Sequence, residues 1–368
     1  MSARSILLVT LLAACSKSAP NARPQGAQPE PRALPVTRTE LSTSPGTPAA
    51  APNVVGAKGE LTFTGMCDAS AAVALDDNLF AVADDEDNVL RVYDAERGGA
   101  PLGAADVSAR LSLPVKKHKP KKKPKPLKWP ETDIEAATRI GDLAFWITSH
   151  GRNSKGKEKP ERQRLFATTL PDGSSDLLLS VYGTAYERLL PDLFADARFA
   201  EFGLERAAEQ APKEEGGLNI EGMTARVEGG VFIGFRNPVP GGRALLFTLL
   251  NPEQVIEGQR AELGDPLRLD LGGLGVRSLS SWRGRYLIAA GHYSDGARSR
   301  LYAWDGKADL KAIDVHFPNF NPEGFFTPES RDAILVLSDD GTVLVGDTEC
   351  KKLKDPNLKR FRGAWITP

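Results

Sequence analysis

Three short stretches of this chain carry one pattern: Asp133-Ile134-Glu135-Ala136, Asn219-Ile220-Glu221-Gly222 and Asn321-Pro322-Glu323-Gly324. Each opens an apolar run, followed by a polar turn and a second apolar run that ends in charged residues. A chain that repeats strand–turn–strand units behind the same entry motif is restricted to a repeat architecture. Helical periodicity is scarce between residues 60 and 180 and again after 220. Runs of Val, Ile, Leu, Phe, Tyr and Trp broken by Gly, Asp and Asn predict short antiparallel strands instead.

The runs group into units. The first holds 71–75, 79–83, 89–93 and 104–107; the second 134–140, 143–148, 164–170 and 176–181. The third holds 220–227, 231–235, 244–249 and 266–271; the fourth 276–282, 286–290, 300–304 and 311–315. The fifth holds 324–327, 333–337, 342–345 and, as a fourth run, 362–366. Units of this kind arranged in a circle make an all-β β-propeller with five four-stranded blades, or six if one unit merges two. A sandwich would not repeat the entry motif unit by unit. Residues 61–63 are expected to add an outer strand to the last blade. Two insertions interrupt the units: a Lys/Pro-rich basic loop at 115–129 and a helical insertion at 185–215. The second carries Leu189, Leu190, Leu193, Phe194, Phe199, Phe202 and Leu204 at amphipathic spacing.

The N-terminus reads as a lipoprotein signal peptide over 1–15. Arg4 supplies the charge, 5–14 an apolar core too short to span a bilayer, and Leu12-Ala13-Ala14-Cys15 resembles a lipobox. Cys15 is the expected lipidation site. Ser16 follows it rather than Asp, which resembles outer-membrane lipoproteins, so the expected localisation is the cell envelope. Residues 16–58, rich in Pro, Ala, Ser and Thr, predict an extended tether, and 59–368 the propeller domain. Cys67 and Cys350 remain, at the two ends of that domain; in an oxidising compartment they are expected to form a disulfide, the alternative being two buried thiols. A net charge of −1 offers no field for nucleic acid. The expected state is a monomer held to the membrane by its anchor.

The first strand of each blade lines the channel, so its entry and the exit of its antiparallel neighbour open on one face. Glu135, Glu221 and Glu323 fall at entries, with Ser70 in the matching place of Asp68-Ala69-Ser70-Ala71. The exits read Asp84-Asp85-Glu86-Asp87, Ser149-His150-Gly151-Arg152-Asn153, Phe235-Arg236-Asn237, Gly291-His292-Tyr293 and Ser338-Asp339-Asp340-Gly341. Crowded carboxylates call for cations among them, either arginines or a hard metal with oxygen ligands. Arg152, Arg236, Asn237 and Asp339 are the candidate ligand-binding residues. Asp68, Glu135, Glu221 and Glu323 are candidates for holding Ca²⁺ or Mg²⁺. Glu221, Glu323, His150 and His292 are candidates for moving protons. The alternative is that the arginine–carboxylate pairs only join blades, in a non-enzymatic scaffold that binds another envelope protein. Gly-x-Ser-x-Gly, phosphate-loop and paired-histidine zinc motifs are absent from the sequence.

Asp133-Ile134-Glu135-Ala136 with Ser149-His150-Gly151-Arg152-Asn153, and Leu218-Asn219-Ile220-Glu221-Gly222 with Ile233-Gly234-Phe235-Arg236-Asn237-Pro238, resemble an uncharacterised bacterial propeller family, a domain of unknown function. Leu250-Asn251-Pro252 and Leu337-Ser338-Asp339-Asp340-Gly341 fit the same pattern, over about residues 65 to 345. The chain is more distantly similar to esterase-like phytase propellers. That resemblance implies a divalent metal and hydrolysis of a phosphorylated, anionic compound. The Glu-Ala entry at Ala136 and the serine entry at Ser70 depart from the Asn-x-Glu-Gly form.

Overall fold

The computed structural model describes residues 53–54, 59–114, 128–171, 177–294 and 299–368. The signal peptide with Cys15, nearly all of the tether, and residues 115–127 of the basic loop lie outside them.

Five four-stranded antiparallel sheets form a five-bladed propeller. Blade 1 is Ala69–Ala74, Leu79–Asp84, Val89–Asp94 and Gly103–Asp106. Blade 2 is Ile134–Ile140, Leu143–Thr148, Leu165–Thr169 and Ser180–Tyr186, and blade 3 is Asn219–Ala225, Val231–Asn237, Ala244–Leu249 and Leu267–Leu269. Blade 4 is Gly275–Trp282, Arg285–Gly291, Arg300–Trp304 and Leu310–Ile313. Within each of these blades the strands pair in chain order. The inner strands contact one another around the ring, and that of blade 5 returns to that of blade 1.

Blade 5 closes the ring. Its strands run Pro322–Phe326, Ile334–Ser338, Arg360–Ile366 and then Glu60–Thr64, taken from the other end of the chain. The donated outer strand is as expected. The third strand is not the predicted 342–345 but Arg360–Ile366, one place earlier in the blade than expected. Leu344–Val345 pairs instead with Thr348–Glu349 in a small hairpin. Val343 and Leu344 are 41% and 59% exposed, so they lack the burial a third strand needs. Two devices secure the closure. Phe63 of the donated strand stacks on Phe361 at 4.8 Å and meets Phe80 and Tyr93 of blade 1 edge-on. A disulfide joins Cys67 to Cys350, 283 residues apart; in a chain-entropy model a bond across so long a loop contributes about 5 kcal/mol.

The helical insertion breaks into Leu189–Ala195, Ala197–Phe202 and Leu204–Ala207 rather than a helix pair. Asp196 accepts from the Arg198 N–H and Gly203 adopts φ 60°, which interrupts the turns. Leu189, Leu193 and Phe199 still enter the core shared by blades 2 and 3.

One backbone detail recurs in all five blades. Between the inner and second strands the pairing slips by one residue just after the entry. Ala69 faces Asp84 and Ala71 faces Ala83, leaving Ser70 over. The same slip leaves over Glu135, Glu221, Arg277 and Glu323. The entry motif is therefore a β-bulge, a device that bends a strand and re-aims the extra side chain.

Candidate functional site

The five bulge residues make a ring at the channel mouth whose two parts differ. On blades 3, 4 and 5 they are Glu221, Arg277 and Glu323, 2%, 7% and 8% exposed. Glu221 Oε1 accepts from Arg236 Nη1 at 2.7 Å and from Asn219 Nδ2 at 2.6 Å. Its Oε2 lies 3.8 Å from Arg277 Nε. Arg277 Nη2 pairs with Glu323, and its Nη1 donates to Asn321 Oδ1 at 2.6 Å. Asn321 in turn donates to Asp339 Oδ2 at 3.0 Å. A relay of alternating charge thus ties three blades. Burial, then the neighbouring Arg236 guanidinium, hold Arg277 down to about 10 despite its carboxylates. A Cβ on Gly291 would sit 2.3 Å from the Arg277 side chain, so the glycine leaves room for that arginine.

On blades 1 and 2 the ring residues are Ser70, which donates to Ile134 O at 2.6 Å, and Glu135. Beside them stand Asp68, Asp84 and Asp85, each offering an oxygen within 4.8 Å of the others. Asp68 Oδ2, Asp84 Oδ2 and Asp85 Oδ1 are buried without a hydrogen-bond partner. Burial, reinforced by Asp85 and Asp339, pushes the Asp68 carboxyl up to about 11, so it holds a proton and donates to Asp339. Asp339 moves the other way: burial raises it, but the Asp68 proton, the Gly341 N–H and Arg277 outweigh that and hold it below its ordinary value. Burial and Asp87 push Asp84 up to about 6. Burial and neighbouring acids hold Asp85 and Glu135 well above the carboxylate range. Gly341 packs against Asp68 so closely that a Cβ would overlap the carboxylate. Lys351 sits at the edge, 3.9 Å from Glu86.

The other predicted residues divide. Glu221, Glu323, Arg236 and Asp339 meet in the relay. Asp68 and Glu135 lie in the acidic half. His292 reaches the relay through its backbone, its carbonyl accepting from Arg236 Nε at 2.9 Å. Its ring Nδ1 lies 2.8 Å from Ser294 Oγ. Asn237 donates to the carbonyls of Pro212 and Glu214, so its amide fastens the insertion to blade 3. His150 and Arg152 line a separate cavity of about 230 Å³ under the insertion. Sequence reasoning passed over Arg277, and named Asp84 and Asp85 only as a strand exit. Val276-Arg277 stands at the same offset in blade 4 as Ile220-Glu221 in blade 3; that spacing was the available signal, masked by the reversed charge.

A family model described as a protein of unknown function (DUF3616) matches residues 175–324. That stretch, less than half of the chain, contains Glu221, Arg236, Arg277 and Glu323 and none of the acidic cluster. No curated protein matches the chain. Among solved structures, a Myxococcus xanthus glutaminyl cyclase is similar at 11% identity and TM-score 0.39, covering 86% of this chain and 97% of that one. The PQQ-bound aldose sugar dehydrogenase of Streptomyces coelicolor is similar at 11% identity and TM-score 0.38, covering 86% and 100%. A Trypanosoma rangeli sialidase is similar at 11% identity and TM-score 0.35, covering 81% and 52%. At these levels none of them speaks to the chemistry of this channel.

Proposed function

We propose that this protein is a lipid-anchored envelope propeller whose channel mouth binds a hard divalent cation, Ca²⁺ or Mg²⁺, and through it an anionic, phosphorylated compound. One observation carries the reading: Asp68, Asp84 and Asp85 bring carboxylate oxygens within 4.8 Å of one another, and each of the three holds a buried oxygen without a hydrogen-bond partner. A buried acceptor without a donor costs about 1–3 kcal/mol. Like charges this close leave two remedies, protons or a cation. Oxygen donors alone suit Ca²⁺ or Mg²⁺, whose remaining positions are open to water or ligand oxygens. This set replaces the one expected from the motifs, since Glu221 and Glu323 are engaged by Arg236 and Arg277 and only Asp68 is common to both.

The bound cation would neutralise ligand phosphate and lower the pKa of a coordinated water. Glu135, a bulge acid that feels the charge of Asp85 and is held well above the carboxylate range, is placed to hold or accept a proton there. Arg236 and Arg277 supply a positive wall across the mouth. The relay also favours a second reading, because its cross-blade pairs are what a purely structural rim needs; in that reading the face is an envelope protein's docking scaffold. A phosphate-ester screen with Ca²⁺ or Mg²⁺ separates them. The expected result is turnover that EDTA, Asp84→Asn and Glu135→Gln each abolish. Absence of turnover and of phosphate-ester binding in the presence of the cation would leave the scaffold.

A further inference from the structure

The cavity under the helical insertion is separate from the mouth, and its chemistry is different. Its volume of about 230 Å³ lies below the ~300–1,000 Å³ usual for drug-sized ligands, so its occupant is small. His150 lines it, 2% exposed and with φ 56°, a left-handed backbone that few residues besides Asn, Asp and His accept. Its Nδ1–H donates to Thr148 O at 2.8 Å. Nε2 is then an acceptor, and it is buried without a partner. Burial lowers this imidazole to about 4, so it stays neutral at physiological pH.

The charged lining sets the rest. Arg152 donates through Nε to Ala208 O at 2.8 Å and through Nη1 to Gly156 O at 3.1 Å. Both partners are neutral carbonyls, so among the described residues no carboxylate offsets this guanidinium. Lys159, also in the lining, is already paired with Glu161 at 2.9 Å. Glu158, Glu205 and Glu209 line the cavity exposed. A phosphate dianion would meet these carboxylates and be repelled; a simple cation would leave Arg152 unanswered. Nor do the carboxylates converge with His150 as metal ligands: among the described residues only Asp68, Asp84 and Asp85 come together in that way. Leu190 and Phe194 add an apolar wall.

We propose that this cavity is a second binding site, specific for a small zwitterion, an α-amino acid. Arg152 takes the carboxylate. The ammonium faces Glu158, Glu205 and Glu209, and the side chain lies on Leu190 and Phe194. Arg152, pinned by two carbonyls, is pre-organised for a planar carboxylate. The inference does not depend on the reading of the mouth.

The test is titration calorimetry with each of the proteinogenic L-amino acids, with acetate and methylammonium as half-ligand controls. At least one amino acid is expected to bind saturably, one per chain, while neither control does. Arg152→Met is expected to weaken it about tenfold or more, and Glu205→Gln to weaken it less. Arg152 is half-exposed and Glu205 exposed, so the two variants guard against a folding defect in either. Asp84→Asn, at the mouth, is expected to leave binding unchanged. The proposal is overturned if no amino acid binds up to ~10 mM, if acetate binds equally well, or if affinity survives Arg152→Met.

Discussion

Around one ring of equivalent bulges, Glu221, Arg277 and Glu323 alternate in sign on blades 3, 4 and 5, while blades 1 and 2 place Ser70 and Glu135 there and no basic residue. The backbone device is the same on both sides. The difference lies in whether the chain supplies its own counter-ion. Arg277 joins Glu221 and Glu323 across blade boundaries, so that side carries its own counter-ion, although Glu221 Oε2 and Arg277 Nε, 3.8 Å apart, make no hydrogen bond. Asp68, Asp84 and Asp85 are left with unpartnered oxygens, so the other side is complete only with a proton or an added cation. Charge pairing at this mouth is thus built into one arc, while the next holds buried acids with unpartnered oxygens.

The sharpest way to break this comparison is to remove the counter-ion where the chain provides it. Arg277→Met strands Glu323 as a buried charge, leaves Glu221 with Arg236 alone, and is expected to destabilise the protein by about 3–5 kcal/mol in urea denaturation. A loss below ~1 kcal/mol would mean the relay is not what holds those blades.

The pH dependence comes next in size. Asp84, raised to about 6 by burial and Asp87, and Asp133, raised to about 6 by burial against the pull of Arg162, keep protons in the folded state that the unfolded chain releases near 4. Raised carboxyls contribute stability that is full below the unfolded pKa and is lost as pH rises through the folded one. Metal-free protein is therefore expected to lose stability between pH 4 and about 6, on the order of 3 kcal/mol for a carboxyl shifted by about two units. His150, lowered to about 4 by burial, works in the opposite direction, its contribution present above 6.5 and lost as pH falls towards 4. Urea melts in EDTA across pH 4–8 measure the balance; His150→Asn should steepen the loss as pH rises.

Asp84→Asn gives the smallest effect and the most telling sign. In EDTA it should stabilise the protein by about 1–3 kcal/mol, because it removes a charge and adds a donor to an orphaned cluster. A destabilisation of that size would mean Asp84 has a partner that the account lacks.

Much of the architecture was legible because strand repeats declare themselves through alternation and turn residues. The donated strand around Phe63 followed from the need to close a ring. Blade 5 was misread because Thr342–Val345 has strand composition, yet the Asp339–Gly341 turn and Cys350 divert it into a hairpin before the chain reaches Arg360. The site was harder to read. Glu135, Glu221 and Glu323 were visible as a motif, but a bulge is a matter of register, and register appears only once partner strands are paired. Arg277 fills the same place with opposite charge, so a search for glutamates passes it by. Nothing in the spacing of Asp68 and Asp84 says that blade 1 folds their oxygens together.

Whether the Asp68–Asp84–Asp85 cluster takes a cation is decided by titrating Ca²⁺ and Mg²⁺ into EDTA-stripped protein, with calorimetry and thermal melting read together. One saturable site is expected for at least one of the two ions, with stabilisation of about 2.7 kcal/mol at one hundred times its Kd. Both signals should vanish in Asp84→Asn and persist in Glu221→Gln. No binding heat and an unchanged melt with both ions, or binding that survives Asp84→Asn and is lost in Glu221→Gln, would contradict it.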